Sequence, residues 1–120
     1  MKVFIYFNLH RKCWSVKALE GPRKGLVVAH AKRVNVSNAT FKVSEAGRQR
    51  VLREGRKNVH AGIVGQWDGH CDANPPTHWE HSVRVTYNPY KFHSFFECET
   101  GNSISWASDV HLSKDVVAFF

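Results

Sequence analysis

Five cations, Arg48, Arg50, Arg53, Arg56 and Lys57, fall within ten residues between Glu45 and His60 of this 120-residue chain. A guanidinium is a planar fork of donors that matches phosphate or carboxylate oxygens two at a time. Fixing several on one helix reduces the entropy lost when they engage an anion. Arg53, Arg56 and Lys57 would also complement the dipole at a helix C-terminus, which leaves Arg48 and Arg50 without that reason. A second group interleaves cations with aromatics: Tyr6, Phe7, His10, Arg11, Lys12, Trp14 and Lys17. Single-strand nucleic-acid binders stack bases on aromatic faces while Lys and Arg follow the backbone. Alternation along a strand, however, assigns most of Phe4, Tyr6 and Trp14 to packing. The candidate residues for binding nucleic acid or an acidic partner are therefore Arg11, Lys12, Arg48, Arg50, Arg53, Arg56 and Lys57.

A third constellation is His70, Cys71, His78 and His81, with Asp68, Asp72 and Glu80 nearby. Thiolate and imidazole are preferred zinc donors, so Cys71, His78 and His81 are candidate metal ligands, although their spacing matches no common finger. The expectation is a protein without a cofactor, zinc being the one metal these donors could hold. Cys13 with His10, or Cys71 with His70, has the residue types of a thiolate–imidazole pair, but neighbours on a strand point to opposite faces. The chain has no phosphate-binding glycine loop, dinucleotide fingerprint, nucleophile elbow or His-Glu-x-x-His. A non-enzymatic role is the expectation.

These residues need a scaffold. Ser44 suits an N-cap, Glu45 suits a helix N-terminus and Gly55 suits a stop, which predicts one short helix over Ser44–Glu54 exposing Arg48, Arg50 and Arg53 together. Residues 58–67 alternate as a strand whose glycines mark a bulge or close packing. Residues 68–80 carry Asp-Gly and Pro75-Pro76 and read as a loop. On either side lie segments that resemble each other. Val3-Phe-Ile5-Tyr-Phe7-Asn8 aligns with Val83-Arg-Val85-Thr-Tyr87-Asn88, and Val28, Ala31, Val34, Val36 and Ser37 align with Ile104, Ala107, Val110, Leu112 and Ser113. The expected architecture is one α+β domain over 1–120. It is an antiparallel sheet or partly open barrel of about six or seven strands with one short helix. Residues 1–41 and 81–120 would form two related three-stranded meanders, with 42–80 supplying the helix, a strand and the His/Cys loop. Val3, Ile5 and Phe7, like Val83, Val85 and Tyr87, should face the core.

Charge is distributed unevenly: residues 2–57 hold 14 of the 17 Lys and Arg but three of the ten acids. Such asymmetry suits an anionic partner. With 42% hydrophobic residues the chain can bury a core without staples. Three widely spaced cysteines argue against a disulfide framework and for a reducing compartment. No run reaches the roughly 20 apolar residues of a membrane span, and residues 3–7 are too short for a secretory signal. The expected setting is cytoplasmic, with no membrane partner.

The run Phe7-Asn-Leu-His-Arg-Lys-Cys-Trp-Ser-Val-Lys-Ala-Leu19 and the segment Glu45–His60 resemble a group of small tailed-bacteriophage accessory proteins of unassigned function. Tyr87-Asn-Pro-Tyr90 and Ala107-Ser-Asp-Val-His-Leu112 are similar too, so the likeness spans most of the chain. The resemblance carries no catalytic or binding residue with it. It implies a phage context, hence the host-cell cytoplasm, where small accessory proteins often bind nucleic acid or block host factors. The leading expectation is a non-enzymatic accessory protein that binds nucleic acid through the basic N-terminal half. The alternative is an inhibitor gripping an acidic surface of a host enzyme or defence complex, as anti-CRISPR proteins do. A metal-dependent nuclease using the His/Cys loop comes third.

Overall fold

Alternating apolar residues at the N-terminus form strand β1 (Lys2–Asn8), whose Val3 and Ile5 are fully buried. The strand ends at Asn8, whose side-chain oxygen accepts the His10 and Arg11 amides. Lys12 then adopts a left-handed conformation (φ 54°) and returns the chain as β2 (Cys13–Ala18). Asn88 builds a similar turn, accepting the Tyr90 amide on its side chain and the Lys91 and Phe92 amides on its carbonyl. Asn side chains close turns in this way because they mimic a backbone carbonyl. The computed structural model describes residues 1–56, 58–76 and 81–120.

The remaining elements are β3 (Val27–Ala31), β4 (Val34–Val43), α1 (Glu45–Glu54), β5 (Ala61–Gln66), β6 (Ser82–Thr86), β7 (Phe96–Glu97), β8 (Trp106–Leu112) and β9 (Val116–Phe119). All pairings are antiparallel and give one sheet in the order β3-β2-β1-β5-β4-β8-β9-β6-β7. The sheet is open, with β3 and β7 at its edges. It curls so that the Trp14 indole N–H of β2 donates to the Ser113 carbonyl between β8 and β9, at 2.9 Å. Phe95 closes the concave side, its ring 5.1 Å from both Phe41 and Tyr87.

Nine strands among the described residues replace the expected six or seven, for two reasons. Residues 28–37 form not one strand but two, broken at Lys32-Arg33. β3 pairs with β2, whereas β4 pairs with β5 and β8. The C-terminal residues add β9. The three-stranded meander expected for 81–120 does not form either. After the two residues of β7 the chain keeps only a Phe96–Ser103 bridge, and β8 then pairs with β4 and β9. Val34 and Val36, aligned above with Val110 and Leu112, are cross-strand partners of Leu112 and Val110. Of the expected inward rows, Val3, Ile5 and Val85 are buried, and Val83 and Tyr87 pack partly against the core. Phe7 stays 42% exposed.

The helix follows its local signals. Ser44 accepts the Gly47 amide, and Gly55, at φ 67°, returns its own N–H to the Val51 carbonyl. Next, β5 enters the middle of the sheet between β1 and β4, where space is short. A methyl group at Gly62 would stand 2.5 Å from the Ile5 carbonyl oxygen and 2.6 Å from two Phe4 ring carbons. One at Gly65 would stand 2.6 Å from the Ser37 carbonyl oxygen, beside the bulge where Asn38 turns left-handed (φ 48°). That kink reverses the alternation of β4, so Val34 and Val36 before it and Ala39 and Phe41 after it all face inward. Gly62→Ala should lower stability by about 1–3 kcal/mol, the usual cost of an overpacked site. Urea unfolding would show this as a lower midpoint, and an unchanged midpoint would contradict the packing described.

On the other side of the sheet His111 lies opposite Asn35, its Nδ1–H donating to the Asn35 side-chain oxygen at 2.6 Å. Asn35 in turn donates to the Asn74 carbonyl, also at 2.6 Å, and ties down the loop after β5. Burial, and secondarily Arg33, holds the His111 imidazole below its ordinary value of 6.5. As pH falls below about 6.5 the unfolded chain takes up this proton first, so stability declines through the window down to the folded-state value. Above that window the contribution is complete. Comparing melting temperatures at about pH 7.5 and pH 5, the His111→Gln variant should lose less than the parent, because Gln does not titrate. An equal loss in both would rule out His111 as a source of the acid sensitivity.

Candidate nucleic-acid interface

The helix does not present its arginines as one row. Residues 48 and 50 lie about 160° apart around a helix, whereas 50 and 53 are neighbours at about 60°. Arg50, Arg53 and Arg56 are exposed. Arg48 is only 14% exposed at its side chain and faces the turn built on Asn88. Its Nε–H is shared by the Pro89 and Phe92 carbonyls at 2.9 and 3.0 Å, and its terminal N–H donates to Glu45 at 2.8 Å. Gln49 and Arg48, donating to the same oxygen, hold the Glu45 carboxyl below its ordinary value of 4.5. Arg48 is thus a clamp between helix and turn, and the expectation that it shares an exposed face with Arg50 and Arg53 is corrected. Among the described residues no ion pair engages Arg50, Arg53 or Arg56. Lys57 lies outside the described residues.

The register brings the second cation group to the same end of the sheet. Ile5 pairs with Ile63 and Val43 with Ala61, so the tip carrying exposed Arg11 and Lys12 emerges beside the chain that joins α1 to β5. Other cations of the basic half are committed elsewhere. Arg33 donates to the Asn74 side chain and the Asp72 carbonyl, and the backbone N–H of Lys32, rather than its ammonium, donates to the Asp72 carboxylate.

Those contacts anchor the loop that carries the candidate metal ligands. Cys71 and His70 are exposed, His70 pairs with Asp68 at 3.4 Å, and the His81 ring lies 5.8 Å from that of Phe120. His78 lies outside the described residues. Among the described residues no group of three or more His, Cys, Asp or Glu is placed to hold a metal ion. Cys13 is buried while His10 is exposed, and all three cysteines are free thiols.

The curl of the sheet also leaves a cleft of about 440 Å³, with Phe7, Trp14 and Tyr87 on its walls and Arg84 and Lys114 among its polar lining. At its margin the Tyr87 hydroxyl donates to His60 Nε2 at 2.7 Å, and His60 Nδ1–H donates to the Asn58 carbonyl at 3.1 Å. Burial pushes the Tyr87 phenol above its ordinary value of 10. Arg84 and Lys114 escaped the sequence reading because they are isolated cations in the acidic half. Their convergence depends on how the β8–β9 turn and β6 meet, and no local signal marks that.

No helix among the described residues is long and apolar enough to cross a membrane. No solved structure matches this chain. The family model described as Mycobacterium phage L5 gene 82 protein matches residues 1–119. The gene 82 protein of Mycobacterium phage L5 is 40% identical over 123 residues, which cover 98% of this chain and 94% of that protein. The phage resemblance carried by the Phe7–Leu19 and Glu45–His60 segments is therefore general to the chain, which belongs to the Mycobacterium phage L5 gene 82 protein family.

Proposed function

We propose that this phage protein is a non-enzymatic accessory factor that binds nucleic acid through the cations at the α1 end of the sheet. The observation that supports this reading is the exposure of Arg50, Arg53 and Arg56 without a carboxylate partner among the described residues, at the end that also carries Arg11 and Lys12. Cations that fold without internal partners keep their charge for an external anion. A polyanion answers several at once and releases its condensed counterions on binding. Fixing Arg50 and Arg53 one turn apart on a capped helix spares part of the ordering cost.

Affinity for DNA or RNA should accordingly fall steeply with salt. Arg50→Ala/Arg53→Ala should weaken binding to all sequences about equally and reduce the log–log salt slope by about 1.4 to 1.8, the range for two phosphate contacts on single or double strands. Fluorescence anisotropy at several salt concentrations measures both quantities. A salt-independent affinity, or an unaltered slope in the double variant, would overturn the proposal. Absence of binding to any nucleic acid at low salt would do so too, leaving an acidic protein surface as the partner class these cations suit.

A further inference from the structure

The outward side of the sheet carries a cross-strand row that neither the core nor the cationic end uses. Through successive pairings Lys17 lies beside Phe4, Phe4 beside Val64, Val64 beside Thr40 and Thr40 beside Trp106. A second row places Tyr6 beside Ser15, which is itself fully buried and hydrogen-bonded to Asn8 and His30, and Lys42 beside Gly62. Inward neighbours of these residues, among them Val3, Ile5, Val16, Ile63, Phe41 and Ala107, are buried in the core, so the rows point away from it. Phe4 and Tyr6 were expected to be mostly packing residues. Trp14 is one, but Phe4 and Tyr6 stand half-buried on the opposite face.

The rings are held as a surface. Phe4 lies over Gly62, two of its own ring carbons excluding a side chain there, and its ring centroid is 5.9 Å from that of Tyr6 at a tilt of 31°. Trp106 is 46% exposed, and its indole N–H donates to the Asn38 side chain at 2.8 Å, which fixes the ring. Three strand spacings, about 14 Å, separate Trp106 from Phe4. Lys42 ends the second row, and Lys17 stands between Phe4 and Val27 of β3 in the first. Neither row contains an acid, and the neighbouring row on this face runs from Lys2 through Gln66 and Ser37 to the exposed Asp109. Aromatic faces between ammonium groups fit one class of ligand well: unpaired bases stack on the rings while phosphates meet the lysines. Duplex DNA, with its bases already stacked, has no use for the rings.

From this juxtaposition we infer that the outward sheet face is a stacking platform for single-stranded nucleic acid, centred on Trp106 and the Phe4–Tyr6 pair. The inference rests on the nucleic-acid reading proposed above and gives it a substrate class. The platform adjoins the cationic end, because β4 runs from Thr40 through Lys42 into Ser44 and α1.

The test uses the full chain with labelled oligonucleotides of about 15 residues, in single-stranded DNA, single-stranded RNA and duplex arms. The protein should prefer single strands, and Trp106→Ala should weaken single-strand binding about fivefold or more while leaving duplex binding unchanged. Trp106→Phe, which keeps a stackable ring, should restore most of the affinity and thereby separates stacking from a folding defect. Lys42→Glu should also weaken single-strand binding, since that residue is exposed and reversal of its charge opposes phosphate. Quenching of tryptophan fluorescence by oligothymidylate should be smaller in Trp106→Ala than in the parent. Equal affinity for single strands and duplex, with Trp106→Ala unaltered and Arg50→Ala/Arg53→Ala weakened, overturns the platform and leaves the cationic interface standing. No binding in any arm overturns both.

Discussion

The insertion of β5 between β1 and β4 is the constraint on which the rest of the structure depends. In the sheet order, β3-β2-β1 lies on one side of β5 and β4-β8-β9-β6-β7 on the other, so this six-residue strand joins their backbone ladders, while the Trp14–Ser113 bond spans the curl. It fits because two of its residues have no side chain. Gly62 gives its space to the Phe4 ring and the Ile5 carbonyl, and Gly65 gives its space to the bulged backbone of β4. Side chains at both positions would push β1 and β4 apart at once. The central seam would then lose register, and with it the curl that brings Trp14 to Ser113.

The same seam decides where charge ends up. Because β4 and β5 are antiparallel neighbours joined through α1, the helix must sit at the end of the sheet where β1 turns into β2. Cations distant in sequence, Arg11 and Lys12 against Arg50, Arg53 and Arg56, therefore share one end. Not every cation in the basic half belongs to that group. Arg48 is spent on carbonyls of the turn after β6, and Arg33 on the loop after β5. Raw charge asymmetry overstates the surface open to an anion, since part of it is internal mortar.

What the sequence revealed followed the range of the forces involved. The helix was legible to within a residue because Ser44, Glu45 and Gly55 act on backbone groups a few positions away. The phases of β1 and β6 were legible because period-2 burial is local. Strand order was not. The break at Lys32-Arg33 and the departure of β8 from β7 are settled by distant partners, as in the pairing of Val34 with Leu112, and β9 is held between β8 and the earlier β6. Arg48 illustrates the same limit at a candidate site. Helical geometry alone separates it from Arg50, but the carbonyls that absorb its Nε–H lie 41 and 44 residues away. The outward aromatics were half legible: placing Val3 and Ile5 inward sends Phe4 and Tyr6 outward, yet what covers an outward face is a question of tertiary structure.

Two concave or flat surfaces with aromatics compete for attention, and their chemistry separates them. The inner cleft takes its walls from residues the fold already uses. Trp14 is tied to Ser113, Tyr87 to His60, and Phe95 packs between Phe41 and Tyr87. A ligand entering there would have to replace contacts that close the curl of the sheet. The outward face asks for no such exchange. Phe4 rests on a glycine, Trp106 is positioned by a hydrogen bond at its edge, and the rings keep exposed area whether or not anything lies on them. Removing that area from water is favourable for any flat apolar partner, and Lys17 and Lys42 beside the rings favour an anionic one. Because Lys42 lies two residues before the cap of α1, a chain of phosphates leaving the platform along β4 would next meet the cationic end.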